Sequence, residues 1–256
     1  MKNDITYICK LSSNLTEKEK DDFLRVFNEV FDLNYDINWF NWKYIDNVYG
    51  DSYVVIAYDD NKAVGTRSFW RNDIDGYLCY QPCDTAVVKE ARRKGIFSKM
   101  TLVALEKAKN GFIYNYPNEN SRPGNLKLGW KINKYYYMKF VISISNLKSQ
   151  SKYIDDDYLM WRFAKSPINK YYYCERGGDF YLLLKRKKNV YYVLGRFNSN
   201  YKKYFIKAKC PILFNYTTKE TIMYKLFKNR ATIVSFEEDN QKKEKIDIPI
   251  FKADYV

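Results

Sequence analysis

Histidine is absent from this chain of 256 residues. Its absence removes the most common general base, the usual Ser-His and Cys-His nucleophile systems, and most zinc chemistry. The five cysteines are an odd number and include no Cys-x-x-Cys pair, so they do not indicate a disulfide framework. We therefore expect no metal site, and any base in this chain must be a carboxylate, a tyrosine or a water relay.

Long apolar runs are missing as well. The first twenty residues contain no apolar signal core, and no uninterrupted apolar stretch approaches the length that crosses a membrane. From this pattern we expect a cytoplasmic protein that does not insert into membranes.

Acidic residues are outnumbered by basic ones, 30 against 44, which gives a formal net charge of +14. A chain of this charge attracts anions, and nucleic acids, anionic cofactors and nucleotide-linked sugars all qualify. The densest basic run, at residues 185–188, lies between two apolar runs and indicates a solvated hairpin loop. No recognised nucleic-acid motif accompanies it, so nucleic acid is not the favoured partner.

The length suits one large domain or two small ones, each with a core of its own. Apolar periodicity predicts a mixed α/β order in the first half, with a crossover in its middle. A capping box of Thr16 and Glu19 begins the first helix. The other predicted elements are strands at 5–8, 53–58, 63–69, 77–88, 112–116 and 131–144, and helices at 97–109 and 121–128.

The second half resembles the first. Trp161-Arg162-Phe163 echoes Trp42-Lys43-Tyr44, and a strand hairpin follows each triplet. A polar stretch at 145–157 separates the halves, so we predict domains at 1–147 and 148–256, the second being a partial repeat. Coincidental clustering of aromatic residues is the alternative.

The candidate functional segment is Arg92-Arg93-Lys94-Gly95, which joins a predicted strand to a predicted helix. Backbone N–H groups and the positive end of a helix converge at such a turn, and three cationic side chains add to them. The pattern predicts a site for a polyanion, most plausibly a pyrophosphate. On its own it is weak, because Arg-Arg-Lys runs are common on protein surfaces.

Taken together with its neighbours, this segment resembles the signature of the GNAT superfamily of acyl-CoA-dependent N-acyltransferases. Arg92-Arg93-Lys94-Gly95-Ile96-Phe97 matches the Arg/Gln-x-x-Gly-x-Gly/Ala turn, and Lys127-Leu128-Gly129-Trp130 matches a later Lys-Leu-Gly-Phe-like turn. The resemblance covers residues 5–144 and implies a mostly antiparallel central sheet flanked by helices, here duplicated. It also implies acetyl-CoA as co-substrate and the amine of a small molecule as acceptor, an amino sugar or its nucleotide-linked form being one candidate.

The resemblance assigns cofactor contacts by position. Backbone groups of Val87 and Val88 would pair with the pantetheine arm, and the amides from Arg93 to Ser98 would cradle the pyrophosphate. The residues so implied are Val87, Val88, Arg92, Arg93, Lys94, Gly95, Ile96, Phe97, Ser98, Asn118 and Ser121.

Two positions depart from the family pattern. Phe97 is bulky where a small residue is usual, and Asn125 stands where many members place a tyrosine that protonates the CoA thiolate. Tyr116, Tyr114 or water would then have to donate that proton.

The candidate bases are Asp84 and Glu119, although either carboxylate equally fits a solvated turn. We expect an N-acetyltransferase, as a monomer or homodimer, that acts by direct attack of the amine on the thioester. A catalytically inactive GNAT-like binding protein and, less favoured, a basic nucleic-acid-binding protein are the alternatives.

Overall fold

The structure is a computed structural model that describes residues 4–141, 147, 151–227, 230–236 and 246–253. The strands, in chain order, are β1 (Ile5–Leu11), β2 (Tyr53–Asp59), β3 (Lys62–Arg71), β4 (Cys79–Val87), β5 (Phe112–Asn115), β6 (Lys131–Phe140), β7 (Tyr172–Arg176), β8 (Asp179–Lys187), β9 (Val190–Phe197), β10 (Ile206–Lys207), β11 (Ile212–Thr217) and β12 (Arg230–Phe236). The helices are α1 (Glu17–Phe31), α2 (Ile37–Phe40), α3 (Ile96–Ala108), α4 (Arg122–Lys127), α5 (Asp156–Tyr158) and α6 (Ile222–Phe227), with π-helical turns at Asn41–Ile45 and Leu159–Ala164.

These elements form a mixed α/β fold whose strands are mostly antiparallel and flanked by helices, as expected. The chain groups into two compact units, Met1–Ile132 with Val234–Asp247 and Asn133–Ile233 with Ile248–Val256. The predicted boundary at residue 147 lies within the second unit, beside residues outside the described part, and the two-domain division stays a prediction.

In the first unit the strand order is β1-β2-β3-β4-β5, followed by residues 234–236 of β12. Neighbouring strands are antiparallel except β4 and β5, which run parallel because α3 connects them. Val234, Ser235 and Phe236 pair with β5 on its other side. A strand from far along the sequence therefore completes the sheet of this unit.

Helices cover both faces of this sheet. The capping box of Thr16 and Glu19 is present at the start of α1, which buries Phe23 against Tyr44. On β3, the Cα of Gly65 faces Ile96 and Met100 of α3, where a Cβ would lie 3.1 Å from Ile96. Ser68, three positions further along β3, bonds Tyr44 on the α1 side, so α1 and α3 lie on opposite faces because side chains alternate along a strand.

In the second unit the strand order is β6-β11-β9-β8-β7-β10. Its core includes Leu183, Val193 and Leu213, which are almost fully buried. The basic run at 185–188 lies in the hairpin of β8 and β9 and is exposed, but residues 185–187 form the end of β8 and only Lys188 lies in the turn that was expected to hold the whole run.

A π-helical turn occurs in each unit at the repeated aromatic triplet. In the first unit the side chain of Asp36 accepts the N–H of Trp39, and the N–H of Asp46 closes the turn on the carbonyl of Asn41. In the second unit Asp155 accepts the N–H of Tyr158, and Lys165 closes the turn in the same way. Three antiparallel strands then follow each turn, β2-β3-β4 or β7-β8-β9.

Candidate functional site

A gap opens in the first unit between β4 and β5. The two strands pair only at Cys79 with Phe112 and at Tyr80 with Ile113. Beyond Tyr80, β4 continues beside β3 to Val87, whereas β5 pairs with β12. Among the described residues, the edge of β4 that faces β5 therefore has no strand partner over most of its length, which is the arrangement that accepts an extended ligand.

The end of β4 presents backbone groups to this gap. Val88 donates its N–H to the carbonyl of Val64 (3.0 Å) and accepts the N–H of Ala91 (3.0 Å), so both of its backbone groups are bound within the chain. In an antiparallel ladder this makes the N–H and C=O of Val87 point away from β3, toward the gap. The Val87 carbonyl accepts Nε of Arg92 (3.0 Å).

A β-bulge interrupts β4 in the middle of the gap. Ser68 pairs with Cys83 and Thr66 with Ala86, so Asp84 and Thr85 together oppose Arg67 on β3. Asp84 has a φ of 47°, in the left-handed region that aspartate tolerates better than most residues. The bulge separates the neighbouring side chains: Asp84 contacts the π-helical turn, whereas Thr85 contacts Arg67 beneath α3.

The carboxylate of Asp84 is held by a buried polar cluster. Its Oδ2 lies 2.8 Å from Nζ of Lys43, and both side chains are 6% exposed. Tyr44 also donates a short hydrogen bond to Oδ2, and its hydroxyl lies 2.7 Å from Oγ of Ser68. Burial, and next the charge of Asp84, raise the pKa of Tyr44 well above its ordinary value, so this phenol stays protonated and donates.

Aromatic rings surround the cation of this cluster. Nζ of Lys43 lies 5.4 Å from the ring centre of Trp39 and 5.4 Å from that of Trp70. The Trp70 indole donates to the Lys43 carbonyl (3.2 Å). The Trp-Lys-Tyr triplet thus positions one buried charge for Asp84, a role that its aromatic pattern alone did not reveal.

The basic loop lies where the sequence predicted it, between β4 and α3. Arg93 and Gly95 have φ values of 65° and 76°, and Gly95 is the N-cap of α3. No side chain caps this helix, and its first internal hydrogen bond runs from Lys99 N–H to the Gly95 carbonyl (3.0 Å). The N–H groups of residues 96–98 are therefore free of helical bonds and point out of the N-terminus, which suits an anion.

The cationic side chains of the loop are exposed. Nζ of Lys94 lies 3.8 Å from a carboxylate oxygen of Asp59, and Arg92 holds the end of β4 through its bond to Val87. Arg92 and Lys94 thus have partners of their own at the surface while adding positive charge beside the helix N-terminus.

The bulk of Phe97 is accommodated by a glycine in α4. A Cβ at Gly124 would lie 3.0 Å from the Phe97 ring, closer than almost any real side chain permits. The adjacent Asn125 is fully buried, and neither of its side-chain polar atoms has a hydrogen-bond partner among the described residues. Asn125 therefore lies inside the fold rather than at an open surface.

The remaining predicted residues lie near the end of β5. Tyr116 is buried, and its ring packs edge-on against Tyr114 at 6.1 Å. The side-chain oxygen of Asn118 accepts hydrogen bonds from the N–H groups of Asn120 and Ser121, just before α4 begins. The Asn118 side chain is exposed. Glu119 is also exposed, in the loop before α4.

Two groups of residues in the site were not predicted from the sequence. Lys43, Tyr44 and Ser68 reach Asp84 only through the fold, and Arg67 stood within a strand that the sequence describes as apolar. A charged residue inside a buried strand was the available signal for Arg67.

No group of three potential metal ligands occurs among the described residues. Within the same ranges, no helix has both the length and the apolar character needed to span a bilayer.

The chain was compared with protein-family models, curated protein sequences and solved structures, and both a family model and solved structures match it. The family model for the acetyltransferase (GNAT) domain matches residues 12–132. A GCN5-related N-acetyltransferase from Kribbella flavida has a TM-score of 0.58 at 12% identity, covering 91% of this chain and 71% of that one. Another from Anabaena variabilis has a TM-score of 0.53 at 9% identity, covering 91% and 72%. No curated protein sequence matches significantly. At these identities the structural likeness shows a shared fold.

Proposed function

Because residues 12–132 of this chain match the family model of the GNAT acetyltransferase domain, we propose that the protein transfers an acetyl group from acetyl-CoA to the amine of a small molecule. The proposal is supported mainly by one observation: the gap between β4 and β5 leads directly to the basic loop between β4 and α3. The outward backbone groups of Val87 lead along β4 to the uncapped N-terminus of α3. An extended arm beside β4 thus ends where its pyrophosphate meets free N–H groups.

The cofactor contacts in this proposal follow the geometry. Val87 pairs with the pantetheine arm, whereas Val88 supports it indirectly, since its own backbone groups are bound to Val64 and Ala91. The loop amides hold the pyrophosphate, with charge from Arg92, Arg93 and Lys94. Gly95, Ile96, Phe97 and Ser98 supply the N–H groups, and Asn118 and Ser121 lie at the start of α4 as further contacts.

The reaction is direct attack in a ternary complex. The amine nitrogen forms a bond to the thioester carbon, the C–S bond breaks, and the amine proton passes to Asp84. The backbone N–H of Val87 stabilises the oxyanion, and Tyr116 returns a proton to the CoA thiolate. Asp84 is favoured over Glu119 as base because it lies on the bulge within the gap, whereas Glu119 is exposed in a loop.

Turnover with acetyl-CoA and a panel of small amines, amino sugars included, tests this proposal. Because all five cysteines are free thiols, loss of thioester is followed by chromatography rather than with a thiol reagent. We expect Asp84→Asn to lower kcat by about 10²–10⁴-fold, the usual contribution of a general base. The matched variant Glu119→Gln should leave kcat nearly unchanged.

Equal rates for wild type and Asp84→Asn would exclude Asp84 as the base. Binding of acetyl-CoA without turnover of any amine would favour the second candidate, an inactive GNAT-like binding protein. Asn125 is the observation behind that candidate, because it replaces the tyrosine that many family members use as proton donor.

We also propose that the second unit is a degenerate repeat of the first. The two π-helical turns, their aspartate caps and the three strands after each support common descent. After β9, however, the chain enters a 3-10 helix at Ser199–Tyr204 instead of a loop and a long helix. The described part of the second unit therefore offers no second pyrophosphate site of this kind. The cytoplasmic location and the oligomeric state stay predictions.

A further inference from the structure

Arg67 is a buried cation that the proposed acetyl transfer does not use. It projects from β3 beneath the first turn of α3, where its guanidinium lies 4.7 Å from the ring centre of Phe97 and 5.6 Å from that of Phe69. The residue is 2% exposed. Burial lowers the pKa of Arg67 to about 10, so the side chain remains positively charged at neutral pH.

Within the part of the chain that the structure describes, one of the three guanidinium nitrogens of Arg67 has a hydrogen-bond partner. Nη1 donates to Oγ1 of Thr85 in the bulge of β4 (2.7 Å). Nε and Nη2 are buried without a hydrogen-bond partner within the described ranges. Because these two nitrogens carry the parallel N–H bonds of one guanidinium edge, they form the fork that matches the two oxygens of a carboxylate.

A second unpartnered group lies in α4. Phe97, whose ring centre lies 4.7 Å from the Arg67 guanidinium, also packs against Gly124, and the next residue is Asn125. Both polar atoms of the Asn125 amide are buried without partners among the residues described. Arg67 and Asn125 thus each keep unused donors inside the fold, at a cost that most proteins avoid.

We propose that the free edge of Arg67 binds a carboxylate of one of the two substrates. The inference rests on the proposed acyl transfer and names the chemistry that the site selects. Two sources fit: an acyl-CoA whose acyl chain ends in a carboxylate, or an acceptor amine that carries a carboxylate, such as an amino acid. In either case the anchor on Thr85 fixes the fork, and Phe97 shields it from water.

The CoA pyrophosphate fits this position poorly. The loop between β4 and α3 is exposed and already offers free N–H groups, whereas Arg67 lies behind Phe97 on β3. Since a guanidinium fork matches a phosphate as well as a carboxylate, it is this burial of Arg67 that argues against the diphosphate.

Titration calorimetry on the full chain tests the donor source. Succinyl-CoA is compared with 4-methylpentanoyl-CoA, in which a neutral branched end of similar shape replaces the carboxylate. We expect the wild type to bind succinyl-CoA at least about tenfold more tightly than the neutral ester, because a charge-assisted hydrogen-bonded pair contributes that much affinity. Arg67→Met should abolish the preference, and Arg67→Lys should retain part of it because lysine offers a point charge without the fork.

The acceptor source is tested by acetyl transfer to amino acids and to their carboxamides. A lower KM for the acids that disappears in Arg67→Met, with little change in kcat, would identify the acceptor as the carboxylate carrier. Absence of any preference in both comparisons would overturn the proposal. Should Arg67→Met fail to fold, Thr85→Val replaces it, because it releases the anchor of the fork and should weaken the same preference.

Failure of the proposed function is separable from failure of this inference. If no CoA ester binds, the acyltransferase proposal fails, and the melting temperature with free succinate or an amino acid then decides the carboxylate site. A rise in the wild-type melting temperature that is lost in Arg67→Met supports the carboxylate site. No rise in the wild type overturns the inference. The unliganded Arg67→Met protein should melt at an equal or higher temperature, because it no longer buries an unpaired charge.

Discussion

Replacing Lys43 by methionine is expected to lower the free energy of unfolding by about 3–5 kcal/mol, because the buried carboxylate of Asp84 loses its cation. The pair is separated by 2.8 Å, and both side chains are 6% exposed. Water cannot replace the lost partner at such a position. Denaturant unfolding, with equal m-values for both proteins, measures the difference.

Two further variants show whether the unpaired charge is the cause. Lys18→Met breaks an exposed ion pair to Asp22 of 2.6 Å, with a lysine that is 72% exposed, and should cost less than about 1 kcal/mol. The double variant Lys43→Met/Asp84→Asn should recover most of the stability, since asparagine also tolerates the left-handed φ of this position. If Lys43→Met and Lys18→Met cost the same, the buried ion pair does not stabilise the fold.

A fragment that ends at residue 147, the predicted first domain, is expected to lose cooperative unfolding. It lacks residues 234–236, which pair with β5 along Ile113–Asn115. β5 would then keep only its two pairs with β4, and Trp130 would lose the ring of Phe236, whose centre lies 5.7 Å away. The edge of β5, whose residues are buried in the full chain, would become exposed in the fragment, and an exposed apolar strand edge promotes aggregation.

Circular dichroism during thermal melting of the fragment measures this effect. A chain ending at residue 253 is the control and should melt as the full chain does. A sharp melting transition for the fragment, close to that of the control, would contradict the structural role assigned to β12.

Local signals explain what the sequence could predict. The capping box at Thr16 and Glu19, the strands predicted at 53–58 and 63–69 and the basic loop before α3 are encoded within a few neighbouring residues, and each lies close to where it was expected. Apolar periodicity, however, did not distinguish buried from exposed positions within α1. Phe31 is 48% exposed, whereas Val26 is fully buried.

Features that depend on the register between strands could not be predicted from the sequence. The bulge that turns Asp84 toward Lys43 arises from the pairing of β3 with β4, and no local motif specifies it. The same holds for β12, which is separated from its partner β5 by over a hundred residues of sequence. Strand pairing over such distances depends on the whole fold, so local sequence patterns do not reveal it.

The site was accordingly predicted in part. The resemblance to GNAT proteins gave the loop and the end of β4, whereas the buried cluster around Asp84 and the free edge of Arg67 appeared only with the fold. Arg67 is informative for that reason, since a charge within an apolar strand breaks the local pattern, and such breaks concentrate at functional sites.

Titration calorimetry of acetyl-CoA against the full chain tests the central claim most directly. We predict saturable binding at one site, weakened about tenfold by Arg92→Ala/Lys94→Ala without a change in melting temperature, because both side chains are exposed. The matched pair Arg186→Ala/Lys188→Ala removes the same charge from the hairpin of the second unit and should leave the affinity unchanged. No binding at millimolar acetyl-CoA, or equal weakening by both pairs, would contradict the assignment of the loop.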